Sequence, residues 1–368
     1  MTIADRAVAE LAEREFDGHR PPLQGKRAAL KILLLQLKRI GDLVLTTPAI
    51  AGVRERYPDA SITLVVSAAC ADLLPAIEGV DQTLTARGDW HDIQGWADLA
   101  CSGRFDYCVD FTQNDRSAFL TFLSRAHKRI TSDRVRARAW VGALTYNTLV
   151  SASVRNLHTV DYHLALVRPL GIGSEAARVT LAIPPAEQSR AREILRASGI
   201  GGPFVIAHPG SARAEKFWEP ERWARVIDYC AEHQLQCVVT GTRSAIEHGH
   251  IEAIKSKAGA TFVDLSGKIG LLTLAALIAQ ARFLLTVDSA PMHLAAATQT
   301  PQIALFGPTN PFHWRPRLSR AVILQAGQDA PMTEFSPETP GAPMKLISTE
   351  QVIDAMETLL SIPADPAV

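Results

Sequence analysis

Several things are missing from this sequence, and each absence narrows what it can do. Neither charge is in excess: Lys plus Arg number 38, and so do Asp plus Glu. A chain without net positive charge is a poor candidate for nucleic-acid binding. No apolar run reaches the ~20 residues needed to cross a bilayer. Cysteine is scarce and odd in number (Cys70, Cys101, Cys108, Cys230 and Cys237), with no C-x-x-C pair. That argues against a disulfide framework or a zinc ribbon and fits a reducing compartment. The first twenty residues are charged and lack the apolar core of a signal peptide. The expectation is a cytosolic protein, still free to touch a membrane surface.

Chemical signatures are missing too. No G-x-G-x-x-G follows the first apolar strand pattern, and there is no P-loop and no G-x-S-x-G elbow. His248 and His250 are two apart on a helical pattern and so point to different faces, which makes them a poor metal pair. No D-x-D follows a strand pattern, so a metal-held diphosphate is not suggested. No metal site and no cofactor are expected.

What is present is alternation. Residues 4–15 read as a short amphipathic helix on an extension, with RPPLQGK as a linker. Apolar strand patterns at 30–37, 62–66 and 105–111 are each followed by a helical pattern, one of them at 71–77. A proline-rich break, TLAIPPAEQSRA, leads into a helix that stops at SGIGGP. The alternation then restarts, with strands at 204–207, 236–240, 261–264, 283–287 and 302–306. Helices are expected at 220–233, 244–258, 271–281 and 291–297, and a last one at 349–360. Strands alternating with helices imply parallel sheets covered on both faces. At this length the economical fold is α/β with two Rossmann-like, doubly wound domains facing across a cleft. The expected divisions are an extension at 1–27, a first domain at 28–183, a linker and helix at 184–203, a second domain at 204–345, and a terminal helix at 346–368 able to cross back to the first domain.

In such sheets ligands bind beyond the carboxyl ends of the strands, so polar residues just after strands are the candidates. Gly41-Asp42 follows the first strand, and a carboxylate there suits a general base taking a proton from an attacking hydroxyl. The plainer alternative is a helix cap. The loop HPGSARAEKFW supplies Gly210, Ser211 and Lys216: amides, a hydroxyl and a cation, the parts that hold a diphosphate. It could equally be a solvent loop with a surface lysine. In VDSAPMHLAAA, the amides of Ser289, Ala290 and Met292 open a helix, with Asp288 before them and His293 in the first turn. Asp288 would repel phosphate and is better placed to orient Lys216 or bond sugar hydroxyls. Alternatively, Asp288 and Ser289 are caps and His293 is a packed histidine. The run AHKRITSDRVRARAW carries Lys128, Arg129, Arg134, Arg136 and Arg138. It is either a solvated face or a site for an anionic acceptor or membrane phosphates.

Taken together, LKRIGDLVLTTPAIAGVRERYPDASI, HPGSARAEKFW and VDSAPMHLAAATQTPQIALFGPTNP resemble glycosyltransferase family 9, the bacterial heptosyltransferases of the lipopolysaccharide inner core. The likeness spans roughly residues 30 to 360. GDLVLTTPAI and FGPTNPFHWRP look most like the heptosyltransferase III branch. The resemblance implies a GT-B fold and inverting transfer of a heptose from ADP-heptose to a lipid-linked core oligosaccharide, with peripheral contact at the inner face of the inner membrane. It implies Asp42 as catalytic aspartate, and Lys216 and Ser211 at the diphosphate. Asp288 and His293 match a D-[ST]-[GA]-x-x-H motif. Arg134, Arg136 and Arg138 would meet the acceptor. One departure stands out. Where relatives carry an acid to bond the ribose, VVTGTRSAIE places Arg243, with Glu247 a turn further on. Gly267–Leu271 is the expected wall over the base. A different nucleotide sugar and acceptor, or a non-catalytic nucleotide-binding scaffold, remain the competing readings; a dinucleotide oxidoreductase is disfavoured by the missing glycines.

Overall fold

The computed structural model describes residues 29–87, 103–137, 144–173 and 178–362, together with 97, 99 and 101. The expected extension at 1–27 and Arg138 lie outside the described residues, as does the side chain of Arg136. The first sheet is built from β1 (Lys31–Gln36), β2 (Ser61–Ser67), β3 (Gln82–Ala86), β4 (Tyr107–Asp110), β5 (Lys128–Ser132) and β6 (Thr148–Val150). The second holds β7 (Phe204–His208), β8 (Gln236–Val239), β9 (Val263–Asp264), β10 (Leu284–Val287), β11 (Gln302–Phe306) and β12 (Ala321–Gln325). All the pairings are parallel. The orders are β3-β2-β1-β4-β5-β6 and β12-β11-β10-β7-β8-β9. Counted from its own first strand, each sheet therefore runs 3-2-1-4-5-6, the doubly wound order. Central strands such as KILLLQ and FVIAH are buried along nearly their whole length, as a sheet covered on both faces requires.

The helices that matter for the site begin at strand ends. After β1 come α1 (Ile40–Val44) and α2 (Thr47–Arg56). Pro48 lies in the first turn of α2, so the sequence makes two helices here rather than one kinked one. Further on are α3 (Asp115–Leu123), α4 (Thr159–Val167), α5 (Pro185–Ala197), α6 (Pro220–Glu232), α7 (Ala245–Lys257), α8 (Leu271–Ile278), α9 (Ala290–Ala297), α10 (Pro311–Trp314) and α11 (Thr349–Ser361).

The expected helix over 71–77 is a 3₁₀ stretch, Ala68–Ala76, because Pro75 removes a donor from the regular α pattern. Among the described residues α11 packs on the second domain. Its buried face, Val352, Ala355, Met356 and Leu359, joins the second-domain core with Trp223 and Leu324. The segment is held there by the Trp218 indole, which donates to the Ile347 carbonyl at 2.9 Å.

The two halves share a core. One apolar cluster contains Leu43, Val44 and Ile50 from the first domain and Leu274, Ala275, Leu284 and Leu294 from the second. α5 adds a polar tie to the second domain, accepting from the Thr273 hydroxyl at Glu187 Oε2, 2.5 Å away.

Candidate functional site

Both sheets change winding direction at a crevice, between β1 and β4 in one and between β7 and β10 in the other. The two crevices open on one cavity of 1570 Å³. Its first-domain wall includes Lys38, Arg39, Gly41, Asp42 and Asn114. Its second-domain wall includes Gly210, Ser211, Lys216, Glu247, Asp288, Ser289, Ala290, His293 and Trp314. Nine of the ten residues that the sequence assigned to catalysis or donor binding, Asp42 and eight of this second group, line the cavity; Gly267–Leu271, the expected wall over the base, also lines it.

Asp42 stands in the first turn of α1 and lines the cavity. It is not the helix cap: Arg39 holds that position, without a side-chain bond. Asp42 is tied in place through its backbone carbonyl, which accepts from the Thr46 hydroxyl at 2.7 Å. The carboxylate has no hydrogen-bond partner among the described residues and so is available for a ligand.

Opposite lies an ion pair. Lys216 Nζ donates to Asp288 Oδ2 at 2.6 Å and to the Asp288 carbonyl at 3.1 Å. Thr309 Oγ1 donates to the same carboxylate oxygen at 2.7 Å. Lys216 and Asp288 are only 9% and 7% exposed, so Lys216 is no surface lysine. Asp288 partly neutralises the ammonium and fixes its direction, leaving one further N–H for an anion. Ser211, in the loop after β7, is buried beside it, and its Oγ accepts from the Arg213 amide at 3.4 Å.

The start of α9 needs one correction. Met292 does not face the ligand space. Its side chain is fully buried with Ala304, Phe306 and Ile323, and its amide donates to the Ser289 carbonyl at 3.2 Å. Pro291 has no N–H, so Ser289 and Ala290 are the residues whose amides remain for the cleft. Ser289 makes no capping bond; its hydroxyl pairs with Thr286 Oγ1 at 3.1 Å. His293 is buried, and burial pushes its pKa below the usual imidazole value, against the pull of Asp288 and Asp42. Its ring packs on the backbone of α1. A Cβ at Gly41 would come within 2.5 Å of His293 Cδ2 and 2.8 Å of Nε2. Gly41 is therefore needed for this close approach across the domain boundary.

Both candidates in VVTGTRSAIE, Arg243 and Glu247, line the cavity. Arg243 turns to the Gly267 carbonyl, to which its Nε donates at 2.7 Å. Glu247 is buried under the loops, with Oε2 accepting from the Thr242 amide at 2.7 Å. A Cβ on Gly210 would meet that carboxylate at 2.5 Å, so Gly210 makes room for it.

The described members of the basic cluster, Lys128, Arg129 and Arg134, do not line the cavity. Arg134 is exposed in the turn after β5 and is not part of the lining. Lys128 lies over the Tyr107 ring, 5.7 Å from its centroid. Arg129 gives Nη1 to the Ala126 carbonyl at 2.8 Å and Nε to that of Thr145. These cations are used in holding the first domain together. The basic residues on the first-domain wall are instead Lys38 and Arg39, just before Gly41. Sequence reasoning also passed over His208, whose Nδ1 pairs with Thr240 Oγ1 at 2.9 Å and whose pKa burial lowers to about 4. Asn114, Thr309 and Trp314 were likewise missed. His208 ends β7, and Asn114 and Thr309 lie in the loops after β4 and β11, which was the available signal; Trp314, at the end of α10, carried none. Among the described residues, no group of three or more His, Cys, Asp or Glu could hold a metal ion, and no helix is long and apolar enough to cross a membrane.

Known proteins share this fold. The profile of glycosyltransferase family 9 (heptosyltransferase) matches residues 99–344. Lipopolysaccharide heptosyltransferase 3 of Escherichia coli is 28% identical over 333 residues, 87% of this chain and 96% of that protein. The lipopolysaccharide core heptosyltransferase OpsX of Haemophilus influenzae is 24% identical over 349 residues, 90% and 97% of the two chains. Among solved structures, the family 9 glycosyltransferase of Veillonella parvula superposes with a TM-score of 0.79 at 24% identity, covering 90% of this chain and 97% of that one. The ADP-heptose lps heptosyltransferase II of E. coli gives 0.74 at 21%, covering 90% and 99%. The fold is thus GT-B, and this chain belongs to glycosyltransferase family 9, the heptosyltransferases.

Proposed function

We propose that this enzyme moves a heptose from ADP-heptose to a hydroxyl of a lipopolysaccharide inner-core acceptor, with inversion at the anomeric carbon. The observation that carries the reading is the facing of an unpartnered Asp42 carboxylate, at one winding crevice, and the buried Lys216–Asp288 pair, at the other, across a single cavity. The sugar and nucleotide follow from the relatives, which include heptosyltransferases solved with ADP and with ADP-2-deoxy-2-fluoro heptose.

In this reaction Asp42 takes the proton of the acceptor hydroxyl as its oxygen bonds to the anomeric carbon. The bond from that carbon to the diphosphate oxygen breaks, and ADP leaves with the electron pair. Lys216, the Ser211 hydroxyl and the Ser289 and Ala290 amides meet the charge that develops, which is where fixed donors act most strongly. Neutral His293 donates one N–H to the same group. Glu247 accepts from a ribose hydroxyl, and Gly210 keeps the loop close to the diphosphate. Lys38 and Arg39 meet an anionic group of the acceptor near the reacting hydroxyl. Arg134, Arg136 and Arg138 are assigned to its distal, lipid-borne part, which implies work at the cytoplasmic face of the inner membrane.

The test is Asp42→Asn. Losing a general base lowers turnover by ~10²–10⁴, while ADP affinity measured by calorimetry stays at the wild-type value. Turnover within a few-fold of wild type rejects Asp42 as the base. A panel of nucleotide sugars, scored by transfer, separates ADP-heptose from any other donor.

A further inference from the structure

We infer that Trp314 is a stacking platform for a pyranose ring at the reaction centre, a role that rests on the donor reading above and extends it to the sugar itself. Several exposed large apolar side chains are found among the described residues, including Phe122, Leu144, Ile246 and Leu318, but Trp314 is the one that lines the cavity. Its exposure is 37%, and among the described residues it is the one Trp, Tyr or Phe in the lining, so it offers the cleft an open aromatic face. The strand order says which part of a donor it meets. Glu247 and Gly267 follow β8 and β9, on one flank of the β7–β10 crevice. Thr309 and Trp314 follow β11, on the other flank. A donor with its nucleoside by Glu247 and its diphosphate at Lys216 extends its sugar toward Trp314. The C–H face of a pyranose is apolar, and an aromatic face is its natural complement.

The indole is held, not merely present. Asn310 caps α10, its side chain accepting from the Phe312 amide at 2.8 Å. The Arg315 guanidinium lies over the Phe335 ring at 4.1 Å and the Phe312 ring at 5.8 Å. His313 meets the Trp314 ring edge-on at 5.3 Å and donates from Nδ1 to the Leu157 carbonyl of the first domain at 3.3 Å. His158 Nδ1 accepts from Val160, so its Nε2–H donates to the Arg315 carbonyl at 3.0 Å. Arg317 pairs with Asp161 at 2.6 Å. The loop bearing Trp314 is thereby fixed to both domains and presents the ring with little freedom to lose on binding.

The experiment compares wild type, Trp314→Ala and Trp314→Phe by calorimetry with ADP and with ADP-heptose, and by acceptor kinetics. Trp314→Ala is expected to weaken ADP-heptose about tenfold, the effect of losing one stacked face, and to leave ADP unchanged. Trp314→Phe keeps most of the affinity. A rise in acceptor KM with both donor affinities unchanged also upholds the platform and gives it to the acceptor's sugar. Unchanged ADP-heptose affinity together with unchanged acceptor KM overturns it. A wild-type protein that binds no ADP overturns the donor reading itself and this assignment with it.

Discussion

Replacing Lys216 by Met separates what this residue does for folding from what it does for the ligand. The substitution removes two hydrogen bonds to Asp288, at 2.6 and 3.1 Å, and leaves Thr309 as the donor to a carboxylate that is almost wholly buried. Stranding one member of a buried pair costs about 3–5 kcal/mol, most of it the desolvation of the charge left behind. Adding Asp288→Asn removes that charge, and the double variant should regain most of the lost stability. Binding should behave differently. A charge-assisted hydrogen bond contributes about 1.5–3 kcal/mol, so the single variant should bind ADP roughly 10- to 100-fold more weakly. The double variant should not recover, because no cation has returned. Urea unfolding followed by tryptophan fluorescence reads the first quantity, since Trp218 and Trp223 lie in the second-domain core. Calorimetry with ADP reads the second. A double variant as unstable as the single one, or one that binds ADP like wild type, would refute the reasoning.

Two other outcomes follow from the same coordinates. Gly41→Ala forces the His293 ring away from α1, since the new methyl would sit at 2.5 Å from it. Overpacking of this kind costs about 1–3 kcal/mol, and turnover should drop as well because Asp42 is the next residue; a wild-type melting temperature and rate would show that the ring is not held there. Acid should destabilise the fold well above the usual carboxylate range. Burial holds His158 and His163 at a pKa of about 3 and His208 and His250 at about 4. An unfolded histidine titrates near ~6.5. Their folded values are depressed, so below that point the unfolded chain binds protons that the folded chain refuses. The stabilisation is complete at neutral pH and is lost as pH falls from about 6.5 toward 4, by up to ~1.4 kcal/mol per pH unit for each histidine. Asp110, whose pKa burial raises, acts in the opposite sense at the acid end. A urea midpoint that stays flat between neutral pH and about pH 5 contradicts this.

How much of this was legible from residues alone depended on burial. Strands that are apolar along their length, such as β1, β7, β10 and β11, stand out from their neighbours, and the polar residues after them led to Asp42, Lys216 and Asp288. The strands that were missed are β3, β5, β6 and β12. Three of these, β3, β6 and β12, lie at sheet edges, and QTLTA and KRITS carry too many polar residues to resemble a buried strand. Charge density is a weak guide for a related reason. Arg129 stands in the same basic run as Arg134, yet its guanidinium goes to carbonyl oxygens of its own domain. Lys38 and Arg39 were in plain view directly after the strand pattern at 30–37 but were given no role, because nothing local says that their loop forms a wall of the cleft. Met292 illustrates the converse. Its place in the first turn after Ser289 suggested an amide free for a ligand, yet that amide donates to the Ser289 carbonyl and the side chain is buried with Ala304 and Phe306.

The apolar cluster that runs unbroken beneath the cleft limits how this enzyme can breathe. Prising the two lobes apart like a hinged book would wet side chains from both, at about 25 cal/mol for each Å² newly exposed. Small sliding of α9 over α1 wets much less, and packed helices tolerate such shear. Ligand entry and release are then matters of loops yielding at the rim, while the floor that sets Asp42 opposite Lys216 stays assembled.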